Sequence, residues 1–291
     1  MTEQFGDIAG EAIADGKISS EDIRELQQTS WEDGRVSQVE AETLFLVHDQ
    51  MRGTSEEWSA YFIEAMTQYV VNGGEKPGEV GERRAKWLVG QITTQGQIAG
   101  MEELELVVQI LEHASSVPGL LRDLAIRTIE QAACEGTGPT REGLDGEPGH
   151  VTAEETNLLR RMVLARGSEK QSVVSQAEAD ALFRIKDATL GGANAADWPD
   201  VFVRGVGSFL QGFDGNDPLE AAHVHELDAF MNTTGAKIRD FLNRTLHAGE
   251  AEVGEGTRDQ AWMQAQIEAD EKLDPLEKAL LVFIGQDQAA G

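Results

Sequence analysis

A turn followed by a capped helix recurs along this chain, and that recurrence limits what the chain can fold into more than any other feature. Its clearest copy occupies residues 33–45, Asp33-Gly34-Arg35-Val36-Ser37-Gln38-Val39-Glu40-Ala41-Glu42-Thr43-Leu44-Phe45. Ser37 and Glu40 have the spacing of a capping box, in which the hydroxyl accepts the N3 amide while the carboxylate reaches back to the Ser amide. Asp33-Gly34 supplies the tight turn before it, with Gly taking the positive φ that ends a preceding helix. Ala41, Leu44, Phe45 and His48 follow at i, i+3, i+4 and i+7, so one stripe of the helix is expected to face inward.

Other copies lie on both sides. Asp15-Gly16-Lys17-Ile18-Ser19-Ser20-Glu21-Asp22 opens the chain's first unit, with Ser19 and Asp22 at cap and N3 of a helix carrying Ile23 and Leu26. After a break at Arg52-Gly53-Thr54-Ser55, Trp58, Phe62, Ala65 and Tyr69 mark a third helix, for which Thr54 and Glu57 are the expected capping pair. Three helices make one unit. A shift of 62 places Gly78-Glu79-Val80 on Gly16-Lys17-Ile18, Leu88 on Leu26, Gly96-Gln97-Ile98 on Gly34-Arg35-Val36, and Leu120 and Leu124 on Trp58 and Phe62. Ala99 replaces the capping Ser in this second copy, although Glu102 remains.

Residues 134–149 are rich in Gly and Pro and lack apolar periodicity, which reads as a linker. The pattern restarts at Gly149-His150-Val151-Thr152-Ala153-Glu154-Glu155. Val174-Ser175-Gln176-Ala177-Glu178-Ala179-Asp180-Ala181-Leu182-Phe183 then repeats the central motif almost residue for residue, and Trp198 with Phe202 answers Trp58 with Phe62. A degenerate fourth unit begins at Asp217-Pro218-Leu219-Glu220, echoes the motif at Gly235 and Ile238, and places Trp262 on a third helix. A last amphipathic helix starts in the stretch Asp270-Glu271-Lys272-Leu273-Asp274-Pro275-Leu276-Glu277 and could cover the end of the stack. The expected fold is therefore all-α: about four three-helix units plus a terminal helix, arranged as two pseudo-repeat halves. The halves are residues 1–137 and 147–291, joined by a linker at 138–146.

Charge narrows the function classes. Lys and Arg number 24 against 52 Asp and Glu in 291 residues, a net charge of −28, which argues against binding phosphate backbones. The lone Cys134 cannot form an internal disulfide, and residues 1–7 lack the basic and apolar regions of a secretory signal. A reducing cytoplasm is the expected setting. The longest aliphatic-aromatic run, residues 279–284, is far short of the roughly 20 residues that span a bilayer, so no membrane anchor is expected.

The pattern Asp-Gly-x-(Ile/Val)-Ser-x-x-Glu resembles the second half of an EF-hand calcium loop, whose Gly, hydrophobe and final Glu fall at positions 6, 8 and 12. With Gly34 at position 6, positions 1, 3 and 5 are Thr29, Trp31 and Asp33, so two early acidic ligands are missing. With Gly16 there, they are Glu11, Ile13 and Asp15, and Asp22 closes the loop instead of Glu. Helix capping accounts for the same Ser and Glu spacing without calcium, so the expectation is no cofactor and no metal. The alternative is Ca²⁺ held at the acidic turns by Asp15, Asp33 and Glu40. The turn-and-cap pattern at Ala12-Ile13-Ala14-Asp15-Gly16-Lys17-Ile18-Ser19 and at residues 33–40 also resembles the TerB-like (tellurite-resistance B) family of small helical domains. That resemblance implies a helical acidic module linked to stress response and to association with divalent metal.

Catalytic patterns find less support. His223 and His225 are two apart, whereas paired helical metal ligands sit at i and i+4. Val206 and Leu210 stand where a nucleophile elbow around Ser208 would need Gly, and Cys134 has no basic neighbour close in sequence. No catalytic residue is assigned. The leading expectation is a non-enzymatic interaction or scaffold protein presenting an acidic surface to a partner with a basic surface. A divalent-cation binder, or an enzyme whose site is assembled from distant residues, are the alternatives.

Overall fold

The computed structural model describes residues 3–30, 36–51, 53–142, 146–164, 174–211, 262–263, 265–266 and 273–290. Among these the chain is all-α apart from one short two-strand hairpin. The helices are α1 (Glu3–Asp15), α2 (Ser20–Ser30), α3 (Gln38–Gln50), α4 (Glu56–Asn72), α5 (Glu82–Ile92), α6 (Met101–His113), α7 (Gly119–Glu135), α8 (Ala153–Leu164), α9 (Gln176–Ala188), α10 (Trp198–Gln211) and α11 (Pro275–Ala290). Two compact units divide the chain. The first comprises residues 1–132, 136–146 and 165–171, and the second 133–135, 147–164 and 172–291. None of the described helices is long and apolar enough to cross a membrane.

Local chemistry sets the helix starts. Ser37 Oγ accepts the Glu40 amide at 3.3 Å while Glu40 Oε2 accepts the Ser37 amide at 2.8 Å. Ser175 with Glu178, Thr152 with Glu155, and Ser19 with Asp22 form the same reciprocal pair. Each box satisfies two backbone donors that a helix start would otherwise leave bare. Ser37→Ala should cost about 0.5–2 kcal/mol by urea unfolding, equally with calcium or with chelator. A loss seen only with calcium would transfer the role of these turns from capping to cation binding. One cap falls elsewhere than the spacing suggested: Ser55, not Thr54, caps α4 by accepting the Trp58 amide, and Thr54 Oγ1 instead donates to Glu102 at 2.6 Å.

In the first unit α4 is the central element, packed by α2, α3, α5 and α6, while α1 covers α2 and α3. Trp58, Phe62, Ala65 and Tyr69 of α4 are all buried, and so are Ala41, Leu44 and Phe45 of α3. The turn at Gly96 differs from its expected form. Thr93–Thr94 (β1) and Gln97–Ile98 (β2) pair antiparallel, and the two residues between them, Gln95 and Gly96, both take positive φ (55° and 83°). That is a two-residue hairpin of the primed type. Helix α6 starts after it at Gly100, which has no side chain to cap with. The hairpin connection also moves the register: α5 starts 62 residues after α2, but α6 and α7 start 63 after α3 and α4. As a result Leu121 and Ala125 are fully buried where Leu120 and Leu124 were expected inside, and Leu120 is 38% exposed. In the segment expected as linker, Pro139–Arg141 form a 3-10 turn packed on α6, with all three residues buried.

In the second unit α8, α9 and α11 all pack on α10. Two glycines permit this. A Cβ on Gly205 would meet Leu182 and Val163 side chains at 2.7 Å, and one on Gly207 would meet the Phe283 ring at 2.5 Å. Trp262 is set into the same core, its ring 5.5 Å from Phe183 and 4.8 Å from Phe209, with Nε1 donating to Asp180 at 2.6 Å. Asp33, Gly34, Asp217, Pro218, His223, His225, Gly235 and Ile238 lie outside the described residues.

Candidate functional site

Each unit buries a cationic or proton-carrying side chain against the start of a later helix. In the first unit the group is His48, which continues the inward stripe of α3. Its Nε2 lies 3.1 Å from Glu103 Oε1, and its Nδ1 lies 3.2 Å from Trp58 Nε1. The ring stacks on Phe62 at 4.2 Å with an interplanar angle of 5°, and Phe45 meets the same Phe62 edge-on at 5.1 Å. Glu103 is the N3 residue of α6, so a helix start, an imidazole and an indole are joined in one chain of hydrogen bonds.

Two further carboxylates surround it. Glu102 Oε1 accepts from Thr54 Oγ1 at 2.6 Å and from Ser59 Oγ at 3.2 Å. Burial works against the Glu102 charge, but these hydrogen bonds outweigh it and hold the carboxyl below its ordinary range. Partial burial pushes the Asp49 carboxyl up; nearby His48 opposes that shift and Glu103 adds to it. A depressed carboxyl contributes stability that is present above its unfolded value and lost as pH falls through its folded one. The first unit should therefore lose the Glu102 contribution below about pH 4.5, the ordinary value. A Thr54→Val/Ser59→Ala variant, compared by urea unfolding in an acid series, should show a shallower loss. Identical acid profiles for variant and parent would remove this role from Glu102.

In the second unit the buried cation is Lys186, three residues past Phe183 on α9. Its Nζ lies 2.5 Å from Asp274 Oδ2, 2.7 Å from Glu277 Oε1 and 2.7 Å from Asp187 Oδ1. The Lys186 and Glu277 side chains are 1% and 0% exposed. Asp274 and Glu277 are themselves cap and N3 of α11: Asp274 Oδ1 accepts the Glu277 amide at 2.9 Å and Glu277 Oε2 accepts the Asp274 amide at 3.0 Å. Burial alone would drive the Lys186 proton off, yet its hydrogen bonds to Asp187, Asp274 and Glu277 prevail and hold the ammonium above its ordinary range. Phe183 and Phe202 meet edge-on at 5.2 Å, and Trp198 lies 6.1 Å from Phe202, much as Phe45, Phe62 and Trp58 are arranged in the first unit. One bond differs. Lys has no acceptor, and Trp198 Nε1 is buried without a hydrogen-bond partner among the described residues.

Asp187, Asp274 and Glu277 offer carboxylate oxygens within 4.8 Å of one another, a spacing that could hold a metal ion. The ammonium of Lys186 already bonds to all three, so it acts as a tethered cation, and a metal would have to displace it. The acidic residues singled out from sequence are differently placed. Asp15 is exposed at the end of α1, Glu40 is 6% exposed with its carboxylate on the Ser37 amide, and Asp33 lies outside the described residues. Arg84 also has a structural task. It donates to the carbonyls of Tyr69 and Gly73 at 3.0 and 2.6 Å and stacks over the Tyr69 ring, closing the C-terminus of α4. Beside it lies an open depression of about 430 Å³ lined by Lys76, Glu79, Gly81 and Arg83 among others.

Sequence reasoning placed Asp274 and Glu277 at a helix start and Trp198 on a third helix, but not the buried cation between them. The signal is in the alignment of the two clearest motifs: Ser175 falls on Ser37, Phe183 on Phe45 and Lys186 on His48. A lysine in the place of an inward-facing residue calls for a buried counter-charge. Comparison of the chain with protein-family models, with curated proteins and with solved structures returned no match.

Proposed function

We propose that this chain is a non-enzymatic helical module that binds a protein partner through its acidic surface. The observation that carries the reading is the division of labour among the acids. Carboxylates that enter the interior, Glu40, Glu103, Glu155, Glu178, Asp274 and Glu277, serve helix starts, the His48 ring and the Lys186 ammonium. The other acids among the described residues are exposed or partly exposed, in a chain whose net charge is −28. A surface so charged raises the local concentration of a basic partner, speeds encounter and repels phosphate backbones.

The reading predicts binding that depends on ionic strength. A partner captured from the native cell, purified and titrated against the full chain, should bind at least about tenfold more weakly when salt shortens the screening length from about 10 Å to about 3 Å. Affinity that does not respond to salt, or a partner whose contact face is acidic, would count against an electrostatic dock. Turnover of a small molecule by the purified chain would put the enzyme alternative ahead of this reading.

A further inference from the structure

We propose that His48 is a proton-operated latch at the junction of α3, α4 and α6: neutral, it joins Trp58 to Glu103; protonated, it releases Trp58 and is held by carboxylates alone. The neutral form follows from the bonding. An indole N–H can only donate, so Nδ1, 3.2 Å from Trp58 Nε1, carries a lone pair. Nε2 then carries the hydrogen and donates to Glu103 Oε1 at 3.1 Å. One acceptor and one donor on the same ring define the uncharged imidazole.

Adding a proton at Nδ1 sets two N–H groups against each other, and the Trp58 bond is lost. The charged groups facing the ring make the imidazolium tolerable. Asp49 lies beside it on α3, and Glu102 and Glu103 face it from α6, all three acidic; α4 presents the uncharged Trp58 indole and Phe62 ring. The change therefore falls on Trp58, which is fully buried and would be left as a donor without an acceptor. The second unit displays that charged state in permanent form. Lys186, which aligns with His48, is bound by Asp274 and Glu277, and Trp198 Nε1 has no partner among the described residues. One unit thus carries a junction that acidification can change, and the other carries its fixed counterpart.

The test uses the full chain labelled with ¹⁵N at Trp and His. The Trp58 indole signal, assigned by its absence in Trp58→Phe, is followed over the range in which histidine side chains exchange protons, about pH 5–8. The Trp58 signal should move as the His48 ring nitrogens pass from one protonated to both. His48→Gln, whose amide can accept from Trp58 and donate to Glu103 without titrating, should hold the signal at its high-pH position throughout. His48→Lys should hold it at the acid position. The ring-nitrogen signals of the unaltered chain report the protonation state directly, so the result does not depend on either variant folding. A His48 ring that takes up no proton over this range, a Trp58 signal that stays fixed while it does, or one that moves equally in His48→Gln, would overturn the latch.

Discussion

Lys186→Ala should destabilise the second unit by about 3–5 kcal/mol, the usual consequence of removing one partner from a buried ion pair. Three carboxylates converge on the missing ammonium. Asp274 and Glu277 are 7% and 0% exposed, so with Lys186 gone they must either take up protons or admit water. The size of the effect is a property of the unpaired charges more than of the pair itself. A Lys186→Met/Asp274→Asn/Glu277→Gln variant, which removes the charges together, should recover much of the loss. Both are measured by urea unfolding followed through Trp198 and Trp262, the indoles packed in the same unit. Because the folded ammonium titrates above its ordinary value of 10.5, the contribution is complete below that value and disappears only as pH rises through the folded one. The deficit of Lys186→Ala should then be constant across neutral and mildly alkaline pH. A loss under about 1 kcal/mol would mean that the cluster behaves like an exposed pair.

Phe62→Ala should cost a similar amount in the first unit, about 3–5 kcal/mol. Phe62 is fully buried at the point where three helices meet, with Phe45 against it edge-on, His48 stacked on one face and Trp58 at 6.2 Å. Truncation removes the ring that Phe45, His48 and Trp58 pack around and leaves a cavity that a backbone helix cannot collapse to fill. Phe62→Leu, which keeps most of the volume, should cost less than half as much. Thermal and urea unfolding of the two variants, compared with the parent, checks both the size and the order. Equal losses would show that the ring's aromatic contacts, rather than its volume, carry the effect.

Much of this fold was legible because it is written in short-range chemistry. A hydroxyl and a carboxylate three residues apart can find only each other and the backbone between them, so the boxes at Ser37, Thr152 and Ser175 follow from spacing alone. The inward stripes of α3 and α4 follow likewise from their period. Errors arose where one copy of the pattern was used to read another. Gly96 aligns with Gly34, which implies a helix-preceding turn, but the segment forms a hairpin, and the longer connection moves the buried face of α7 from Leu120 to Leu121. Ser55 and Thr54 are adjacent hydroxyls, and which one caps α4 depends on Glu102, 48 residues further along the chain, taking the other. The ion cluster is the extreme case. Nothing near Lys186 announces Asp274 and Glu277, and only its alignment with His48 marks the position as an interior one.

The Lys186 cluster also orders events in time. Lys186 leaves the ribosome well before Asp274 and Glu277, which lie 88 and 91 residues downstream. Until those residues arrive, the nascent α9 has an ammonium on the side it must bury, and of its three carboxylate partners among the described residues Asp187 alone has been made. Closing the core over the ammonium before those carboxylates are in place would strand a buried charge, which is costly. The last described helix then contributes more than cover. It delivers the counter-charges that allow the earlier helices to dehydrate, which makes completion of this unit conditional on the arrival of residues 274–277.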